Sequence, residues 1–324
     1  MLERRQQSRL QSEGKDLESI VRAFLADCNL RGMTPNTVQS YASNLRDFKR
    51  YLDSKSIVDV RKIDKDDIRE YIRILREERK LSMATIENHL SCVSSLMDYL
   101  VYEEIIESNV ALAVRKRYLR RYKNGDSEAQ SRKMITVEQL KKLVDSIMIP
   151  RDRAIIVLLA KTGIRRSELV SIDVGDVDFT MMKVTLKPKA KRSNRIVFYD
   201  DECARILKDW LKVRERYARD DVPALFITET GGRLDKNGVY LAVTRHAIRA
   251  GLHDESSNRL EDHFTPHCLR HWFTTYLRRN GMPREMIQEL RGDIRHDAID
   301  IYYHIDEDQL RRTYRQCIPK LGIR

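Results

Sequence analysis

From residue 17 to residue 106 the apolar positions recur at helical spacing, with no stretch of strand-like alternation, so this third of the chain must fold by packing helices against one another. Residues 17–30 read LESIVRAFLADCNL and set Leu17, Ile20, Val21, Phe24 and Leu25 along one face. Thr34-Pro35-Asn36-Thr37 supplies an N-cap and a first-turn proline for a second amphipathic helix. Two more helices are predicted over 65–79 and 82–102, which makes a compact four-helix module. From Ala111 to Lys133 the periodicity breaks. Lys and Arg at 115, 116, 117, 120, 121, 123, 132 and 133 face only Asp126 and Glu128, the composition of a linker. Such a run reads either as a solvated segment or as a cationic strap lying along phosphates.

The remainder is mixed. Thr136 and Gln139 have capping-box spacing, and 152–161 is apolar enough for a buried helix. Strand signals at 183–186 and 195–199 flank the sequence KPKAKRSN, a hairpin with a cationic tip. Helices are predicted again over 201–218, 236–250, 266–279, 283–291 and 297–303. The fold class is therefore mainly α with a small β-hairpin, without internal repeats. At 324 residues the chain has the length of two domains of roughly 100 to 200 residues each.

Charge narrows the partner. Sixty-one Lys plus Arg against 49 Asp plus Glu give a formal charge of +12, which favours a polyanion, nucleic acid first. The plain alternative is a basic cytosolic protein; a membrane-surface role would need an amphipathic basic helix that the sequence lacks. The cysteines (28, 92, 203, 268 and 317) are odd in number and contain no CxxC pair, which argues against a disulfide framework or a zinc ribbon and for a reducing compartment. The longest apolar run, 154–160, falls far short of the roughly 20 residues of a membrane span. The N-terminus is charged and has no apolar h-region of a secretory signal, so a cytoplasmic, nucleoid-associated location is expected.

Four separated pieces carry groups suited to attack on a phosphodiester. In TGIRRSEL (162–169), Gly163 ends the buried helix and Arg165 begins the next turn. The hairpin tip brings Lys189 and Lys191. HCLR (267–270) places an imidazole and a guanidinium on one helical face. IYYH (301–304) brings two phenols on a late helix. Each piece alone has a plainer reading: a surface arginine, an ordinary helix pair, aromatic packing. His263, His267 and His271 fall at i, i+4 and i+8, but without an acidic ligand of HExxH type, so no metal site is expected.

Together, in this order, the pieces resemble the tyrosine recombinase family, also called the phage integrase family, and within it the Xer-like members. That family carries a T-G-[LI]-R-x-S-E-L box, a hairpin lysine, an H-x-L-R box, an L-G-H box and an I-Y-x-H box. The likeness extends to residues 17–106, including TPNTVQSYASNLRDF, which look like the family's helical core-binding domain. The resemblance implies a SAM-like four-helix core-binding domain and an α+β catalytic domain that close on DNA as a C-shaped clamp. The implied layout is a polar tail (1–16), a core-binding domain (17–106), a basic linker (107–133), a catalytic domain (134–304) and a tail that docks on a neighbouring protomer (305–324). The implied catalytic set is Arg165, Lys191, His267, Arg270 and Tyr302, with Tyr303 and Lys189 as alternatives for the phenol and the amine. Glu168 is expected to support the arginines. Arg115, Lys116, Arg117, Arg120, Arg121, Lys123 and Arg245 are the candidate DNA contacts. The implied chemistry is cleavage and rejoining of double-stranded DNA through a 3′-phosphotyrosine link, with no cofactor, by a protein that is a monomer or dimer when free and a tetramer on paired sites. With about 16 residues before the first helix, the arm-binding domain of some phage integrases is not expected.

One box departs from the family. Where L-G-H stands nine residues before the tyrosine, this chain has Arg291-Gly292-Asp293, so a carboxylate replaces a hydrogen-bond donor. Either Asp293 turns away or it pairs with a cation, with His296 or Arg295 donating in its stead. A non-catalytic DNA-binding protein on a decayed scaffold, and a topoisomerase of the same chemistry, are the competing readings.

Overall fold

The computed structural model describes residues 17–119, 133–188, 194–219, 221–257, 259–293 and 305–323. The chain divides into two compact units, Met1–Gly125 and Asp126–Arg324.

In the first unit, α1 (Leu17–Leu30), α2 (Pro35–Ser54), α3 (Lys65–Arg73) and α4 (Met83–Tyr102) pack around Phe24, Phe48, Tyr71 and Leu90. Local chemistry sets their starts. Thr34 accepts from Thr37 N at 3.3 Å ahead of Pro35, and Asp64 and Ser82 cap α3 and α4 in the same way. The helix predicted over 65–79 leaves α geometry after Arg73 and finishes as a π turn, Ile74–Glu78, closed by Arg79 N to Ile74 O at 2.9 Å. The segment expected to be a linker from Ala111 begins instead as a helix, α5 (Val110–Tyr118), capped by Asn109. Its sequence is too cationic to show an apolar stripe, yet Ala111, Val114 and Leu119 are buried in the core of the unit. Burying a valine side chain contributes about 1.5 kcal/mol or more, enough to order a short helix whose cations also suit its C-terminal dipole.

The second unit is built on α7 (Pro150–Thr162), buried along 154–162 and packed against α9 (Asp201–Arg214), α10 (Lys236–Arg249) and α11 (Pro266–Arg279). Ahead of it, α6 (Val137–Asp145) starts with the expected reciprocal cap, Gln139 N to Thr136 Oγ1 at 3.1 Å and Thr136 N to Gln139 Oε1 at 2.9 Å. The short α8 (Arg166–Leu169) leads to an antiparallel sheet in order β1 (Val177–Asp178), β2 (Lys183–Thr185), β3 (Ile196–Phe198), with Val184 opposite both Val177 and Val197. The two-residue β1 is too short to leave a sequence signal, so the hairpin gains an unforeseen third strand. Helix α9 stops at Arg214 rather than at 218, because the Arg214 guanidinium turns inward to the carbonyls of Ala224 (2.8 Å) and Val222 (2.7 Å).

Helix α12 (Arg284–Arg291) and, after the undescribed 294–304, α13 (Glu307–Cys317) complete the unit. The tail expected to dock on a neighbouring protomer lies in this single chain on its own core. Tyr314, Ile318, Leu321 and Ile323 are buried, and Tyr314 Oη donates to Lys161 O at 2.8 Å. The helix expected over 297–303 lies outside the described residues.

Candidate active site

The site grows from the end of α7. Gly163 takes the left-handed conformation (φ 62°), and a Cβ there would run into the ring of Phe273, so only glycine closes this helix without strain. The chain then turns sharply, and Arg165, in extended conformation, opens α8. Buried Glu168 reaches back, accepting from Arg165 N at 2.7 Å and from Arg165 Nη1 at 3.1 Å. Glu168 thus fixes both the backbone and the fork of Arg165, the supporting role expected of it.

Arg270 arrives from α11. Pro266 occupies the first turn of that helix, and the i to i+3 spacing of His267 and Arg270 puts them on one face. The Arg270 side chain is 4% exposed. It donates from Nη1 to Gly163 O at 2.7 Å and from Nη2 to Arg291 O at 3.0 Å, the carbonyls that end α7 and α12. The negative ends of two helix dipoles therefore meet one guanidinium. Burial, then repulsion from Arg165 and Arg291, pull its pKa down to about 10 against the pull of Asp293 and Glu168. It stays charged at neutral pH.

Both arginines point at one atom. Asp293 Oδ1 lies 3.1 Å from Arg270 Nη2 and 3.5 Å from Arg165 Nη2, while Asp293 Oδ2 lies 3.1 Å from Arg291 Nε. Of the two arrangements the sequence leaves open for Asp293, the pairing with cations is the one present. His267 is exposed at the start of α11, its ring 4.7 Å from that of His271. His263 faces elsewhere, toward Ser257 O (2.6 Å) and the His253 ring (5.1 Å). Among the described residues no cluster of His, Cys, Asp and Glu is arranged to hold a metal ion.

Lys189, Lys191, Arg295, His296, Tyr302, Tyr303 and His304 lie outside the described residues, as do Arg120, Arg121 and Lys123. The root of the hairpin that carries the lysines is described: Lys187 Nζ sits 3.0 Å from carboxylate oxygens of both Asp173 and Asp176. Arg115, Lys116 and Arg117 occupy the last turn of α5, and Arg245 lies exposed on α10. Sequence reading missed Lys161, wholly buried one turn before Arg165. Its ammonium donates to Asp200 Oδ2 (2.6 Å), Glu202 Oε2 (2.7 Å) and Pro319 O (2.7 Å). The available signal was a lysine inside an apolar run, which demands buried carboxylates elsewhere.

Two guanidinium forks aimed at one oxygen, with an imidazole a helical turn away from one of them, form a site suited to holding an oxyanion. The comparisons with known proteins go further. The profile of the phage integrase family matches residues 133–309, and that of the phage integrase N-terminal SAM-like domain matches residues 20–107. The chain belongs to the phage integrase family. The tyrosine recombinase XerC of Herpetosiphon aurantiacus is 29% identical over 290 residues, covering 86% of this chain and 88% of that protein. XerC of Bacillus subtilis is 28% identical over 315 residues, 94% of this chain and 98% of the relative. Among solved structures, the Tn1549 transposon integrase in complex with transposon right end DNA has the same fold, with a TM-score of 0.67 at 19% identity over 92% of this chain and 98% of that one. A lambda integrase dimer bound to a core site gives a TM-score of 0.66 at 18% identity over 90% and 99%.

Proposed function

We propose that this protein is a site-specific DNA recombinase of the Xer type that cuts and rejoins double-stranded DNA through a tyrosine. The observation that carries the reading is the convergence of Arg165 and Arg270 on a single oxygen position, 3.5 and 3.1 Å away. In the proposed reaction a non-bridging phosphate oxygen takes that position. The Tyr302 phenol, ordinarily a weak nucleophile with a pKa near 10, passes its proton to His267 as its oxygen attacks phosphorus. The bond to the 5′-oxygen breaks, and Lys191 protonates the departing oxygen, with His267 assisting proton transfer and contacting the phosphate. The resulting 3′-phosphotyrosyl link conserves the bond energy. Attack by a 5′-hydroxyl, from the same or a partner strand, then reverses the step and frees Tyr302 without a nucleotide or metal.

In the same proposal the core-binding domain starts at residue 17 and takes in α5, residues 134–304 form the catalytic domain, and the basic connection between them begins after α5. Arg115, Lys116, Arg117, Arg120, Arg121, Lys123 and Arg245 hold phosphates, giving salt-dependent affinity without reading sequence. The protein assembles as a tetramer on paired sites, in the cytoplasm on the nucleoid. No described helix is long and apolar enough to cross a membrane.

The test is covalent trapping: cells expressing the protein are lysed in detergent and DNA bound to it through a detergent-stable link is recovered and sequenced. Wild-type protein is expected to yield DNA with discrete ends, and Tyr302→Phe none. Equal recovery with both proteins would reject Tyr302 as nucleophile. No recovery with either would favour a binding protein on the same scaffold, the reading that Asp293 alone supports.

A further inference from the structure

The carboxylate at position 293 has no place in a site that must receive a phosphodiester, yet it sits at the point where the site is most cationic. Its Oδ1 is shared by Arg270 Nη2 at 3.1 Å and Arg165 Nη2 at 3.5 Å, and its Oδ2 lies 3.1 Å from Arg291 Nε. Three guanidinium groups therefore surround one acidic side chain, and the other carboxylate nearby, Glu168, is already committed to the backbone N and the Nη1 of Arg165. Resting on the recombinase reading above, we propose that Asp293 is an internal stand-in for the scissile phosphate: it occupies the anion position between the two guanidinium forks in the free protein and is displaced when DNA enters.

Charge, attachment and exposure support this. A phosphodiester carries a single negative charge, so exchanging it for the carboxylate leaves the balance around Arg165, Arg270 and Arg291 unchanged. Without an anion, Arg270, 4% exposed, would face the repulsion of two other arginines. The mounting permits the exchange. Asp293 follows Gly292, whose left-handed backbone (φ 60°, ψ 39°) ends α12, and its own N–H donates to Gln288 O at 3.2 Å. The Asp293 side chain is 29% exposed, so the carboxylate already meets water. Arg270 does not depend on it for position, being anchored by the carbonyls of Gly163 and Arg291.

The consequence is selectivity. A small free anion must compete with a tethered carboxylate and gains little by doing so. DNA held along an extended basic surface brings remote binding energy to displace it. Asp293 is thus a tethered competitor that makes the site blind to free phosphate and responsive to phosphate within bound DNA.

Calorimetric titration with inorganic phosphate tests the proposal directly. Asp293→Asn, close in shape and neutral, is expected to bind phosphate about tenfold more tightly than wild type, the scale of one modest ion pair removed from competition. Asp293→Glu is expected to restore the weak wild-type binding. Adding Arg165→Gln to Asp293→Asn is expected to abolish the gain. Asp293→Asn binding phosphate no better than wild type, or gaining equally with Arg165 replaced, would overturn the proposal. Trapping of DNA by Asp293→Asn at a rate at least equal to wild type is expected, and trapping slowed tenfold or more would instead make Asp293 a required part of the reacting site. The phosphate titrations need no catalysis, so they decide the role of Asp293 even if wild-type protein traps no DNA, the result that would remove the recombinase reading itself.

Discussion

Four residues apart in the chain, Lys161 and Arg165 sit in two ionic clusters that the same fold uses in opposite ways. Around Lys161 one ammonium meets two carboxylates and a carbonyl, each of its three N–H groups has an acceptor within 2.7 Å, and nothing is exposed. Around Arg165 three guanidinium groups meet two carboxylates, and the Arg165 side chain is 35% exposed. The first cluster is closed and saturated, so its free energy goes into tying residues 319–322 to the core: Glu202 also accepts from Leu321 N (2.9 Å) and Gly322 N (2.6 Å). The second is open and carries surplus positive charge, so it can exchange its exposed carboxylate, Asp293, for an anion from outside. Saturation and access separate a structural ion cluster from a chemical one here.

Swapping one carboxylate in each cluster for its amide sharpens the contrast. Glu202→Gln leaves the buried ammonium short of charge and one backbone N–H short of an acceptor, and should cost about 3 kcal/mol in denaturant unfolding. Equal stability of that variant and wild type would mean that the Lys161 cluster is not the lock described. A smaller, graded effect follows from acid. Burial pushes the Glu202 pKa up, but the N–H of Leu321, Lys161 and the N–H of Gly322 together hold it below its ordinary value. A depressed folded pKa gives stability that is present above the unfolded value, about 4.5, and is lost as pH falls through the folded value. The acid limb of a stability–pH curve should therefore be shallower in Glu202→Gln than in wild type, and parallel limbs would contradict the linkage. The smallest effect belongs to Asp293→Asn, expected to shift stability by less than about 1 kcal/mol because its pairs reach solvent. A loss as large as that of Glu202→Gln would erase the distinction between the clusters.

Much of this was legible in the sequence. The Thr34 and Thr136 capping patterns, the buried run 154–160 and the Gly163 stop place α2, α6, α7 and the turn into Arg165 correctly, because each is decided within a few residues. The spacing of His267 and Arg270 likewise gives their shared face. What stayed hidden depends on contacts far apart in the chain. Helix α5 owes its order to burial of Ala111 and Val114 beneath a cationic surface, and the inward turn of Arg214 that shortens α9 answers carbonyls at 222 and 224. The partners of Lys161 lie 39, 41 and 158 residues away, beyond any local pattern. Asp293 stood out as a departure from the family's box, but only the fold shows that it stands between Arg165 and Arg270.

The central claim is that the two forks stabilise charge building on a phosphate oxygen. Its most direct measurement is single-turnover formation of the covalent DNA complex by Arg270→Lys, on DNA recovered by trapping, with binding measured on the same samples. Cleavage is expected to slow by about 100-fold or more, since a lysine keeps the charge but loses the fork, while DNA affinity stays close to wild type. Cleavage at the wild-type rate by that variant would contradict it.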